Sequence, residues 1–202
     1  MSDAHEAPLI VGIGGTTRSG SSTEAALVVA LDAARRSGAR TRLIDGAALT
    51  ALPHYLAGDG AGAGAKLIAS VREAQGVIIA SPGYHGSISG LVKNAVDYLE
   101  ETAKDARPYL DGLPVGLIVT AYGWQATGST LAALRSVVHA LRGWPTPLGV
   151  ALNTSSGLFT DGVCTDARAS DQLRLVGEQV AAFALRSHAA RSAFQVNPGM
   201  VA

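Results

Sequence analysis

Short, uninterrupted apolar runs alternate along this chain with longer stretches in which apolar residues recur every three or four positions. Leu9-Ile10-Val11-Gly12-Ile13-Gly14 is the first run and reads as a buried parallel strand. A polar loop, Gly15 to Thr23, leads into a helix with Leu27, Val28, Leu31 and Ala34 on one face. Ser21 with Glu24 three residues later forms a capping box, and Gly38 suits the helix end. Arg40 to Asp45 is the second strand. Gly46 to Ala65 is a long, Gly/Ala-rich excursion carrying Pro53, His54 and Tyr55, and its length suggests a functional flap or a partly mobile loop. Lys66 to Gln75 is a helix that presents Leu67, Ile68, Val71 and Ala74, and Val77-Ile78-Ile79-Ala80 is the third strand.

The second half keeps this rhythm. Leu91, Val92, Ala95, Val96 and Leu99 share one helical face, and Glu100 to Leu113 is a charged loop. Pro114 to Thr120 is a fourth strand, followed by a helix on Leu131, Leu134, Val137, Val138 and Leu141 that ends at Gly143. Leu148 to Leu152 is a fifth strand, and Asn153 to Thr165 a loop or small hairpin. The last helix runs from about Asp166 to Ser187, with Leu173, Val176, Val180 and Phe183 inward. Five strand–helix repeats without an internal linker predict one α/β domain, residues 1–187, built on a doubly wound parallel sheet. Residues 188–202 read as a C-terminal tail whose Phe194, Val196 and Met200 have no place in that core.

Composition narrows the classes. The chain has 202 residues, 48% of them hydrophobic, enough for one sizeable core. Formal charge is zero and the basic residues are scattered, which argues against a nucleic-acid or anionic-membrane partner. No apolar run reaches membrane-spanning length, and Met1 to Pro8 lacks a signal-peptide pattern, so a soluble cytoplasmic protein is expected. Cys164 is the only cysteine and the histidines (His5, His54, His85, His139, His188) are dispersed, so no cysteine cage or disulfide is available and no metal site is expected.

Two strand-to-helix loops carry the candidate chemistry. The first offers Thr16, Thr17, Ser19, Ser21, Ser22 and Thr23 around Arg18, just ahead of a helix N-terminus. Hydroxyls, free amides and the positive end of a helix dipole suit a terminal phosphate dianion, to which Arg18 adds a charge-assisted bond. The plainer reading is a capped helix behind a solvated loop. Gly12 and Gly14 without a third glycine do not make a dinucleotide fingerprint, the phosphate loop ending in Gly-Lys is absent, and Asp45 is a weak ribose-binding acid. The second loop, Ser81-Pro82-Gly83-Tyr84-His85-Gly86-Ser87-Ile88-Ser89-Gly90, has glycines that let a flat ligand lie against the backbone.

The Gly15–Thr23 loop and the Pro82–Ser87 loop, with Lys93-Asn94-Ala95-Val96-Asp97-Tyr98 behind it, resemble the NAD(P)H-dependent FMN reductase family over roughly Leu9 to Ala184. The resemblance implies a flavodoxin-like fold with a five-stranded parallel sheet in the order 2-1-3-4-5. It implies that Thr16, Arg18, Ser21, Ser22 and Thr23 hold the FMN phosphate. Pro82, Gly83, Tyr84, His85, Gly86 and Ser87 would then lie along the isoalloxazine, with Ala121, Tyr122 and Gly123 closing the other side. Gly83 stands where that family often has an acidic or larger residue, His85 where Asn is frequent, and Tyr122 and Trp124 where a bare glycine pair is common.

The chemistry so implied is hydride transfer from NADPH or NADH to flavin, for which no general acid or base is nominated. Tyr84, Tyr122 and Trp124 are expected to frame one stacking slot. The expected function is an FMN reductase, in which reduced FMN is passed to a partner monooxygenase. The alternatives are an FMN-containing quinone, azo or chromate reductase and a flavodoxin-type electron carrier, the latter disfavoured by zero net charge. A hydrolase is weaker still, since Gly86-Ser87-Ile88-Ser89-Gly90 places Ile at the nucleophile position. A homodimer or homotetramer is expected, with Glu100–Leu113 and the tail as contact candidates.

Overall fold

A computed structural model describes residues 7–58 and 61–196. Along the chain run β1 (Leu9–Gly14), α1 (Ser22–Arg36), β2 (Arg40–Ile44), α2 (Gly46–Thr50), α3 (Ala65–Glu73), β3 (Gly76–Tyr84) and β4 (Ser87–Ile88). They are followed by α4 (Gly90–Asp97), β5 (Pro114–Ala121), α5 (Trp124–Ala140), β6 (Trp144–Asn153), β7 (Phe159–Thr160), β8 (Val163–Cys164) and α6 (Ala167–Val196). The parallel strands lie in the order β2-β1-β3-β5-β6, which is the expected 2-1-3-4-5 when parallel strands alone are numbered.

The period-2 alternation of strand side chains sorts the core into two halves. Val11, Ile13, Val77, Ile79, Leu117 and Val119 face the layer of α3, α4 and α5. Ile10, Ile78, Ala80 and Ile118 face α1 and α6. Those two helices meet through small residues, and a Cβ on Gly177 would lie 2.0 Å from the Ala30 carbonyl oxygen. Val28 and Phe183, expected inward, sit at the margins of their helical faces and are more than a third exposed.

Four expectations need correction. The third strand does not stop at Ala80 but continues to Tyr84, where it turns back as β4. The fifth strand begins at Trp144 rather than Leu148, because Pro145 and Pro147 are tolerated on an edge strand. The excursion after residue 45 opens with α2, whose first turn is capped by the Asp45 carboxylate accepting from the Ala48 amide at 2.8 Å. Asp45 is thereby a capping residue. Last, the stretch read as a tail from residue 188 is helical to Val196, since the first helix breaker after Gly177 is Pro198. Phe194 and Val196 therefore belong to α6, and Met200 lies outside the described residues.

The Asn94 and Tyr98 side chains secure the segment that passes over α4. Asn94 donates to the Pro53 carbonyl at 2.8 Å and accepts from the Tyr55 amide at 2.9 Å. The buried Tyr98 hydroxyl reaches the same carbonyl at 3.1 Å, and its ring meets Tyr55 edge-on at 5.2 Å. Glu101 completes the clasp by accepting from the Tyr55 hydroxyl and the Gly58 amide. No helix among the described residues is long and apolar enough to cross a membrane.

Candidate functional site

The loops after β1, β3 and β5 converge at the carboxyl edge of the sheet on a cleft of about 460 Å³. Its lining comprises Thr16, Thr17, Arg18, Ser21, Ser22, Thr23, Pro82, Gly83, Tyr84, Thr120, Ala121, Tyr122, Ala126 and Thr154. Open α/β sheets bind ligands at this edge.

The first loop is rigid by its own hydrogen bonds. The Thr16 hydroxyl accepts from the Arg18 amide and donates to the Arg18 carbonyl, both at 3.1 Å. Ser21 is the N-cap of α1, and its Oγ accepts from the Glu24 amide at 3.3 Å. Thr23 bonds the Thr120 hydroxyl at 2.7 Å. Three of the predicted hydroxyls thus build the loop, while Thr17, Arg18 and Ser22 line the cleft with no side-chain hydrogen bond among the described residues. The Ser22 and Thr23 amides open the helix, where backbone N–H groups have no intrahelical acceptor. Arg18 is the only charged residue in the lining, so the potential at this end is positive.

The second loop is a hairpin. Gly83 pairs with Ile88 and Tyr84 with Ser87, and His85 and Gly86 form the turn with φ of 52° and 83°. Two left-handed residues in succession match the right-handed twist of the flanking strands. Buried Ser81 accepts from the Ser89 amide at 3.0 Å, and Thr130 of α5 donates to the Ser87 carbonyl at 3.2 Å. Gly83 is packed against α5, since an added Cβ would stand 2.7 Å from the Thr130 hydroxyl and 3.2 Å from the Ala121 methyl. This contact explains why no larger residue occupies the position.

Pro82, Gly83 and Tyr84 therefore line the cleft, whereas His85, Gly86 and Ser87 form the exposed hairpin tip outside the lining. From the third loop, Ala121 and Tyr122 line it, and Gly123 instead precedes α5 as its N-cap. The expected single aromatic slot is not formed. Tyr84 and Tyr122 flank the cleft, but Trp124 lines a second depression beside it. Thr120, Ala126 and Thr154 escape the sequence reading, which has Thr17 among the loop hydroxyls. The rule that sites gather at the ends of parallel strands could have found Thr120 and Thr154, which end β5 and follow β6.

No Asp, Glu, His, Lys or Cys lines the cleft, so its side chains can orient and stabilise charge but offer no acid–base pair. Cys164 lies in the β7–β8 hairpin, where burial pushes its thiol above the ordinary value and keeps it protonated at neutral pH. The described residues contain no group of three or more His, Cys, Asp or Glu able to hold a metal ion.

Known proteins resemble this chain in sequence and in fold. The profile of the family described as NADPH-dependent FMN reductase matches residues 8–157. An FMN-dependent NADPH-azoreductase of Staphylococcus saprophyticus is 36% identical over 119 residues, which cover 57% of this chain and 60% of that protein. The match thus spans less than two thirds of the relative's length. Among solved structures, the flavoenzyme NAD(P)H:(acceptor) oxidoreductase FerB of Paracoccus denitrificans superposes with a TM-score of 0.71 at 18% identity, over 89% of this chain and 98% of that one. A flavodoxin of Streptococcus pneumonia TIGR4 gives 0.61 at 13% identity, over 86% and 98%. The fold is flavodoxin-like.

Proposed function

This chain belongs to the NADPH-dependent FMN reductase family, and we propose that it is an NAD(P)H-dependent oxidoreductase that binds FMN in the cleft and reduces a small flat acceptor of the azo or quinone class. The observation that carries the reading is a carboxylate-free cleft whose one charged group, Arg18, stands beside the N-terminus of α1.

The residues present fit FMN. A phosphate dianion at the α1 end would meet Arg18, the Thr17 and Ser22 hydroxyls and the first helix amides. The flat ring would lie along Pro82, Gly83 and Tyr84, with Ala121 and Tyr122 opposite. An adenylate extension would have to leave the cleft, which favours FMN over FAD. When bound, FMN supplies the two-electron chemistry between nicotinamide and acceptor. The chain's own work is to hold the phosphate, fix the ring plane and present Tyr84 and Tyr122, both more than half exposed, as flat faces for donor and acceptor.

Likeness to an azoreductase and the prearranged first loop favour FMN retained through turnover, because preorganisation lowers the cost of binding. A second reading, in which FMN is itself the substrate and leaves reduced, is supported by the family description, and a monooxygenase that receives it is part of that proposal. Steady-state assays varying NADPH against FMN, and then against an azo dye or quinone, separate the two. Ping-pong turnover of the dye without added flavin supports the first, and a sequential pattern with FMN as substrate supports the second. FMN binding with no response to NADPH or NADH would leave only an electron carrier. Because Tyr122 is 82% exposed at the mouth of the cleft, we also propose a homo-oligomer that covers it, and a monomer by light scattering at micromolar concentration would remove that part.

A further inference from the structure

Beside the cleft, at the carboxyl end of β6, lies a second depression of about 380 Å³. It is framed by Trp124 at the start of α5, Asn153 at the end of β6, Ser156 after it, Asp166 just ahead of α6, and Arg168 and Gln172 in its first turns. Residues close together in the chain line the two hollows. Tyr122 lines the first and Trp124 the second, two residues apart and so within about 7 Å along the chain. Likewise Thr154 lines the first while its neighbour Asn153 lines the second.

Trp124 and Arg168 form no side-chain hydrogen bond among the described residues, whereas Asn153 and Asp166 cap the turns that follow them. Trp124 is 71% exposed, which leaves a large indole face uncovered. Arg168 is exposed and forms no ion pair among the described residues. Asp166 caps α6, its Oδ1 accepting from the Ala169 amide at 2.7 Å, so part of its charge is met by the helix N-terminus while Oδ2 has no described hydrogen bond. An aromatic face, a guanidinium and a carboxylate oxygen together match a stacked purine, a phosphate and a ribose hydroxyl.

We propose that this depression holds the phosphorylated adenosine half of the nicotinamide dinucleotide, with adenine on Trp124 and a phosphate on Arg168, while the nicotinamide half reaches the cleft. The assignment rests on the reductase reading above. It explains why Trp124 stands apart from the two tyrosines, and it makes donor recognition separable from flavin recognition.

Three donors test it with the FMN-loaded enzyme: NADPH, NADH and reduced nicotinamide mononucleotide, which lacks the adenylate. The depression predicts a KM for NADPH or NADH raised roughly tenfold or more in Arg168→Ala, as expected for loss of a charge-assisted bond. Trp124→Ala should act in the same direction, and FMN affinity by fluorescence quenching should be preserved. With the mononucleotide as donor the penalty should vanish. A larger loss for NADPH than for NADH in Arg168→Ala places the 2′-phosphate on the guanidinium, and equal losses place the adenosine 5′-phosphate there. Variants that match the wild-type KM for both dinucleotides, or that lose equally with the mononucleotide, overturn the site while the reductase reading stands. Wild-type enzyme that binds no FMN, or oxidises none of the three donors, overturns that reading and this site with it.

Discussion

The hydroxyls of Thr23 and Thr120 stand 2.7 Å apart, both residues buried, and tie the first turn of α1 to the carboxyl end of β5. This bond fixes the spacing between the phosphate end of the cleft and the strand that carries its far wall. Thr23→Val keeps the shape but leaves the Thr120 hydroxyl buried without its partner, at an expected cost of about 1–3 kcal/mol. Thr23→Val with Thr120→Val together should cost less than the two single changes added, because no orphan remains. Urea denaturation of the four proteins measures the coupling. Strict additivity would show that each hydroxyl satisfies itself elsewhere.

Gly83 makes a second prediction. The Cβ of Gly83→Ala would stand 2.7 Å from the Thr130 hydroxyl, so the hairpin or α5 must shift. Overpacking of this kind costs about 1–3 kcal/mol. Adding Thr130→Ala removes the clashing oxygen and should restore part of that loss, although it also removes the bond to the Ser87 carbonyl. Thermal melts of single and double variants decide it. A double variant equal to the sum of the two singles would mean that the Ala121 methyl, not Thr130, is the obstacle.

Much of this was legible in the sequence because the apolar runs of β1, β3 and β5 and the stripes of α1 and α6 follow simple periods. The start of α1 was legible as well, since Ser21 ahead of a helical stripe reads as its cap. What the sequence hid was the direction of things. Nothing local says that Ser81–Tyr84 stays in the sheet, because that depends on Thr130 and Ala121 packing from elsewhere in the chain. Asp45 reads as no more than a weak ribose-binding acid until α2 is seen behind it. Trp124 sits two residues from Tyr122, yet the turn into α5 points them to different hollows.

The Arg72–Asp105 pair predicts a pH dependence. The guanidinium donates to the carboxylate at 2.7 and 3.2 Å, and that hydrogen bonding holds the Asp105 carboxyl below its usual range. A carboxylate with a lowered folded-state pKa contributes stability that is full above its unfolded value of about 3.9 and is lost as pH falls through the folded value. Both groups are partly exposed, so the effect is small and screened by salt. The melting temperature of wild type should exceed that of Asp105→Asn at pH 7, and the gap should close below about pH 4. A gap that persists in strong acid would assign the difference to the side chain's packing instead.

Arg18 carries the prediction on which the cofactor assignment turns. Its side chain is exposed and bound to nothing in the described chain, so Arg18→Ala should fold and melt like wild type. If it meets the FMN phosphate, losing it should weaken FMN by about 1.5–3 kcal/mol, a ten- to hundredfold rise in Kd. Ser22→Ala removes a neutral donor and should cost less, about 0.5–1.5 kcal/mol. Salt adds an independent check. Raising ionic strength screens the guanidinium, so wild-type affinity should fall with salt more steeply than that of Arg18→Ala. Riboflavin, which lacks the phosphate, should bind both proteins alike. Equal FMN affinities at every salt concentration would put Arg18 in solvent and leave the phosphate to Thr17, Ser22 and the first amides of α1.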